Sequence, residues 1–170
     1  MKVYKLYSID SDSDNYNNHC LLRSLFPKGK LLFHNHGNML TINSEFSNEV
    51  DNDNLEYVGE TRSYNVGDEL MFTIRLNGVK SLTGKRVALH KYDIESWVNS
   101  KLDGSGFTVL SRDVIDEGTV ESKRKGGKCW HASLLVRGML RVDDHHKMNV
   151  AISNGIGHGK AFGFGMLLCG

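Results

Sequence analysis

An α+β chain made of two similar units is what this sequence predicts. Three observations carry that reading. Short runs alternate as strands do, with Val3, Lys5, Tyr7 and Ile9 on one side of the first. Other runs repeat near 3.6 residues, as Ile94, Trp97, Val98 and Lys101 do. Glycine, proline and Asn/Asp clusters separate the runs. Their order reads strand, helix, strand, strand, helix, strand twice over, which predicts tandem ferredoxin-like (RRM-like) βαββαβ units. No sequence repeat accompanies it.

In the first unit, Lys2–Ile9 reads as a strand and 11–14 (Ser-Asp-Ser-Asp) as a turn rich in N-cap residues. A helix is expected from about Asn15 to Leu25, stopped by Pro27 and Gly29. Lys30–His34 and Asn38–Ile42 read as a hairpin about His36-Gly37-Asn38. Residues 44–54 are polar, a poor helix or a loop, and 55–64 form a further strand. The boundary is expected near Val66-Gly67-Asp68, giving units at 1–66 and 67–170. In the second unit, 70–76 is an apolar strand holding Arg75. Residues 89–102 read as a helix, 107–110 and 130–142 as strands, and 143–154 as a helix with an acidic start. Residues 161–169 are expected to be the last strand.

Composition bounds the partners. With 39% apolar residues in 170 and no run of about 18, a membrane span is not expected. The N-terminus lacks a signal-peptide core, and Cys20, Cys129 and Cys169 form no C-x-x-C, so a reducing cytoplasm is expected. The net charge is +1, but residues 1–70 hold six Lys and Arg against eleven Asp and Glu, a net of −5. Residues 71–170 hold fifteen against nine, a net of +6. A basic second half points to a polyanion.

The C-terminal segment, 155–170, sets Lys160, Phe162 and Phe164 among Gly155, Gly157, Gly159, Gly163 and Gly165. Exposed amides beside a lysine suit an anion, with phosphate the obvious one. The segment is no P-loop, because Asn154 stands five positions before Gly159 and Ala161 follows Lys160. It is no dinucleotide fingerprint, because it reads G-x-G-x-G and too little chain follows. Lys160, Phe162, Gly163 and Phe164 match part of the RNA-recognition-motif signature, but no helix and strand follow. The alternative is a glycine-rich strand whose apolar residues fill a core.

Lys123, Arg124, Lys125 and Lys128 surround a Gly-Gly turn. They form either a solvated hairpin tip or a cationic one that follows phosphates. Tyr16, His19 and Arg23 stand at i, i+3 and i+7 and share one helix face, with Leu22, Leu25 and Phe26 free to cover the other. Histidine suits proton transfer near neutral pH; the alternative is a surface His beside a half-buried Tyr. His34-x-His36 and His145-His146 lack the spacing of a zinc site and read as surface residues.

Gly155-Ile-Gly-His-Gly-Lys-Ala-Phe-Gly-Phe-Gly-Met-Leu-Leu resembles the C-terminal loop of the CRISPR repeat-RNA endoribonucleases, most of all the CasE-type member of Cascade. Tyr16-x-x-His19 with Leu25-Phe26-Pro27 resembles that family's first helix, and 70–79 its strand opening the second unit. The resemblance implies cleavage of the CRISPR repeat stem-loop without metal or other cofactor. The 2′-hydroxyl would attack the adjacent phosphate, leaving a 2′,3′-cyclic phosphate and a 5′-hydroxyl. It implies a catalytic role for His19, as base or acid, for Tyr16 as a positioning group, and for Lys160. RNA contacts would come from Arg23, from Lys123, Arg124, Lys125 and Lys128, and from Gly155, Gly157, His158, Gly159, Gly163 and Gly165. The implied partners are repeat stem-loop RNA and other Cascade-type subunits, with no membrane and no direct DNA contact. A second helix is implied between Ile42 and Leu55, where the chain is short. The competing reading is a non-catalytic hairpin-RNA-binding protein of the same fold, a guide-RNA cap or a nuclease mimic. A third is an ordinary RNA-recognition-motif protein that binds single strands through Phe162 and Phe164.

Overall fold

The computed structural model describes residues 1–9, 14–48, 51–124 and 127–170. Lys125 and three of the four expected cap residues lie outside them. So do the side chains of Lys123 and Arg124.

The first layer is β1 (Lys2–Tyr7), α1 (Asn15–Leu25), β2 (Leu31–Asn35), β3 (Met39–Ser44) and β4 (Leu55–Glu60). The strands are antiparallel in the order β2-β3-β1-β4. The second layer is β5 (Glu69–Asn77), a hairpin of β6 (Val79–Leu82) and β7 (Lys85–Ala88), α2 (Ile94–Leu102), β8 (Phe107–Arg124), β9 (Gly127–Val142), α3 (His145–Asn154), a single 3-10 turn (Lys160–Phe162) and β10 (Leu167–Cys169). Its sheet runs β10-β5-β9-β8, again antiparallel. In each sheet the first strand lies between the third and the last, and a helix joins the first to the second. That is the ferredoxin-like arrangement, so the chain is α+β.

Asp14 caps α1 by accepting the Asn17 N–H at 2.8 Å. Leu22, Leu25 and Phe26 face inward and are buried against Tyr4, Leu6, Phe33, Leu40 and Ile42. Each such side chain contributes about 1.5–3 kcal/mol. Pro27 has no N–H to continue the helix. The second core lies under α2 and α3, around Ile74, Leu76, Val98, Leu140 and Met148.

Several expectations change. Among the described residues no helix joins β3 to β4, so the first unit reads βαβββ. The second helix starts at Ile94, because 91–93 form a turn. β8 is far longer than expected, β9 starts at Gly127 and not at Trp130, and the two pair from Phe107↔Val142 out to Arg124↔Gly127. The β6–β7 hairpin was not foreseen. The last strand begins at Leu167, not Ala161. His34 is not a surface residue: it is 3% exposed on β2, whose first four residues are all buried.

Candidate active site

Two segments far apart in sequence meet beside the sheets: the outer face of α1 and the glycine-rich loop after α3. The loop is folded by its own backbone. Ile156 N–H donates to Gly165 O at 2.8 Å, and Gly165 N–H donates to Arg75 O of β5 at 2.7 Å. Gly165 has φ +83, and a Cβ there would lie 2.4 Å from Ile156 O. Only glycine closes the loop this way. Phe164 and Met166 are buried, while Phe162 of the 3-10 turn is half-buried. The segment therefore owes its alternating apolar residues to a loop, and the strand reading of 161–166 is replaced.

The Tyr16 ring stands 6.2 Å, centroid to centroid, from Phe162. This contact brings the helix face carrying Tyr16 and His19 to the loop carrying Lys160. The half-buried Lys160 runs back over Gly155, where a Cβ would come within 3.2 Å of its Cε. Lys30, at the mouth of β2, donates to Asn154 Oδ1 at 2.7 Å and adds a second cation beside the loop. The N–H groups of Gly155, Ile156, Phe162, Gly163, Phe164 and Gly165 are spent on backbone carbonyls, so Lys160 and Lys30 are the cations the loop region offers an anion.

His19 is half-buried and its pKa is held below the usual histidine value, first by desolvation and then by the nearby Arg23 guanidinium. It is therefore neutral at pH 7 and able to accept a proton. Arg23 itself donates to Phe26 O (3.4 Å) and Gly29 O (3.0 Å), so it holds the exit of α1 as well as biasing His19. Lys128 pairs with Glu121 across the hairpin at 2.8 Å. Lys123 and Arg124 share that tip by register. His158 is exposed on the loop, and Gly155, Gly157, Gly159 and Gly163 all lie in it.

A polar cluster that the sequence did not single out ties these parts together. The Arg75 side chain meets Glu117 of β8 and donates from Nη1 to Asn35 O at 3.0 Å. Asn35 Nδ2 donates to Asn15 Oδ1 at 3.0 Å, one residue before Tyr16. An arginine in an apolar strand was its one visible signal, since a buried cation needs a partner. Among the described residues no three His, Cys, Asp or Glu side chains converge as metal ligands do, and no helix is long and apolar enough to cross a membrane.

The family model of the CRISPR associated protein matches residues 5–169. The chain belongs to this family. A curated relative, the CRISPR-associated endoribonuclease Cse3 of Thermus thermophilus, is 33% identical over 117 residues, 59% of this chain and 55% of the relative. The match thus spans little more than half of that relative's length. Two solved structures of the family share the fold. Thermus thermophilus Cse3 bound to an RNA representing a pre-cleavage complex superposes with a TM-score of 0.86 at 20% identity, covering 99% of this chain and 98% of that one. CRISPR-associated Cas6e of Escherichia coli K-12 does so with a TM-score of 0.80 at 23% identity, with the same coverage.

Proposed function

We propose that this chain is a cytoplasmic endoribonuclease that cleaves the stem-loop of CRISPR repeat RNA without a metal ion and keeps the product as a subunit of a Cascade-type complex. The observation that carries the reading is the approach of Tyr16 on α1 to the turn holding Lys160, with His19 one helical turn beyond Tyr16. The two sheets are read as two units, 1–66 with the catalytic helix and 67–170 with the basic hairpin and the glycine loop. The family resemblance supports the substrate and the partner subunits.

The chemistry follows from the groups assembled. Neutral His19 takes the proton of the 2′-hydroxyl. The 2′-oxygen bonds to phosphorus while the bond to the 5′-oxygen breaks. The products are a 2′,3′-cyclic phosphate and a 5′-oxygen that takes up a proton to become a hydroxyl. Tyr16 holds the scissile phosphate, the Lys160 ammonium offsets the charge that grows on its oxygens, and the glycine loop holds the RNA backbone. Proton transfer of this kind is worth about 10²–10⁴-fold, and in-line positioning supplies much of the rest. The basic hairpin tip (Lys123, Arg124, Lys125 and Lys128) follows the stem's phosphates, since the deep A-form major groove resists side-chain readout.

The test is cleavage of a repeat stem-loop by His19→Ala in EDTA. Wild type is expected to cut and the variant to bind with nearly the same affinity without cutting. Undiminished cleavage by the variant would overturn the assignment.

A further inference from the structure

Phe162 has a second neighbour. Its ring lies 4.3 Å from His131 of β9, and His131 also packs 5.4 Å from Phe164. Beyond His131 the sheet changes. β5 ends at Asn77, opposite Ser133, and Gly78 N–H to Ala132 O is its last bond to β9. From there to the hairpin tip, β9 pairs only with β8 among the described residues, so its other edge is open. Along that edge lies a hollow of about 340 Å³ walled by Asn77, Arg86, Trp130, His131 and Phe162.

The wall is unusual for a surface strand. Trp130 is 59% exposed, a large aromatic face kept in water. His131 is buried, and its tautomer is set by its neighbour. Asn77 Oδ1 accepts from Ala132 N–H at 3.2 Å, so Asn77 Nδ2 is the atom that donates to His131 Nδ1, also at 3.2 Å. The ring hydrogen therefore sits on Nε2, and that buried donor has no acceptor. The site combines aromatic faces, a cation at Arg86, an unmet ring donor and open strand-edge groups.

We propose that this hollow holds one unpaired nucleobase of the bound RNA, from a nucleotide beside the cleaved phosphate, stacked on Trp130 and Phe162 with Arg86 near its phosphate. The proposal rests on the endoribonuclease reading. Aromatic stacking with a nearby cation is how proteins hold single-stranded bases without demanding a sequence. The position fits because Phe162, which lines the hollow, also neighbours Tyr16, with ring centroids 6.2 Å apart. Trp130 and Lys128 also lie two residues apart on one side of β9, about 7 Å along the strand. A backbone following the basic tip toward His19 passes this opening.

The experiment uses the full chain with Trp97→Phe, which leaves Trp130 as the sole tryptophan. The probe is a CRISPR repeat stem-loop with single-stranded flanks, carrying a 2′-deoxy nucleotide at the cleaved position. Binding is expected to quench Trp130 fluorescence. An abasic substitution at one nucleotide flanking the cut should restore the emission and weaken binding about tenfold. Trp130→Ala should weaken binding to intact RNA by a similar factor and lose its response to the abasic position, and Trp130→Phe should recover most of the affinity. If every abasic RNA quenches alike, or Trp130→Ala keeps the abasic penalty, the hollow holds no base, although wild type still cuts. If the quench moves with one nucleotide but no stem-loop is ever cut, the hollow stands and the nuclease reading falls.

Discussion

Arg75 and Glu117 meet edge to edge, Nε to Oε2 at 2.7 Å and Nη2 to Oε1 at 2.9 Å, with side chains only 17% and 28% exposed. A paired fork of this kind is among the stronger hydrogen-bonded contacts in a protein. Ser133 Oγ donates to Glu117 as well, at 2.6 Å. The pair matters because Arg75 touches both halves of the candidate site. Its carbonyl accepts from Gly165 N–H of the glycine loop, and its guanidinium donates to Asn35 O of β2, whose side chain in turn donates to Asn15. Arg75 is thus the bridge between the Lys160 loop and the helix of Tyr16 and His19.

Glu117→Gln keeps the shape and removes the charge. The expected result is a loss of about 1–2 kcal/mol in urea unfolding at pH 7. The single-turnover cleavage rate should fall more than RNA affinity does, because the candidate catalytic groups lose their mutual position. Arg75→Lys cannot make the fork and should behave likewise. Equal losses in rate and affinity would argue against a positioning role.

Arg23 and His19 predict a displaced pH limb. With the His19 pKa held below its usual 6.5, the acid limb of single-turnover cleavage should lie below pH 6.5. Arg23→Gln removes the charge that contributes to this, so the limb should move upward, toward 6.5. Burial is the larger cause and survives the substitution, so the shift is expected to be partial. A limb that does not move would separate Arg23 from the proton transfer.

Gly165 and Gly157 both sit at positive φ, yet their surroundings differ. A Cβ on Gly165 would strike Ile156 O at 2.4 Å, whereas on Gly157 its nearest neighbour is Leu76 Cδ2 at an ordinary 3.7 Å. Gly157→Ala should therefore cost only the left-handed backbone penalty, about 1–2 kcal/mol. Gly165→Ala adds a backbone collision that breaks the loop's closure, so its loss should be greater and cleavage should fall with it. Thermal unfolding and single-turnover assays of the pair test this ordering.

What could be read from the sequence differs sharply among these elements. α1 was legible because Asp14 and Pro27 bracket it with local chemistry. The ferredoxin-like class followed from the order of strands and helices. The last strand was misplaced because Phe162, Phe164 and Met166 alternate with small residues as a strand's do, while glycine backbone angles decide the matter and leave no trace in that alternation. Arg75 was visible as a charge in an apolar run, but Glu117, 42 residues away, could be paired with it only in three dimensions. The second helix of the first unit is absent among the described residues, where polar 44–54 had no apolar face to bury.

His34 was misread for a related reason, and it predicts acid sensitivity. A polar residue beside a hairpin turn reads as exposed, yet β2 is covered on both faces. Burial, aided by Arg75 and His36, pushes the His34 pKa down to about 3. Its Nδ1 has no hydrogen-bond partner, and the nearby Glu117 carboxylate offsets only a small part of the cost of charging it. The folded state therefore keeps His34 neutral while the unfolded chain takes up a proton below about 6.5. Stability is full above that value and falls with decreasing pH, by up to about 1.4 kcal/mol per unit, until about pH 3. His19 and His131, also lowered, add in the same direction. Glu117, lowered by Arg75, adds a further loss that starts only below the usual glutamate value of 4.5. His34→Phe removes the largest of these contributions. Urea unfolding at pH 7, 6 and 5 should show a steep loss for wild type and a distinctly flatter one for His34→Phe. Parallel slopes for the two proteins would show that His34 titrates normally in the folded chain.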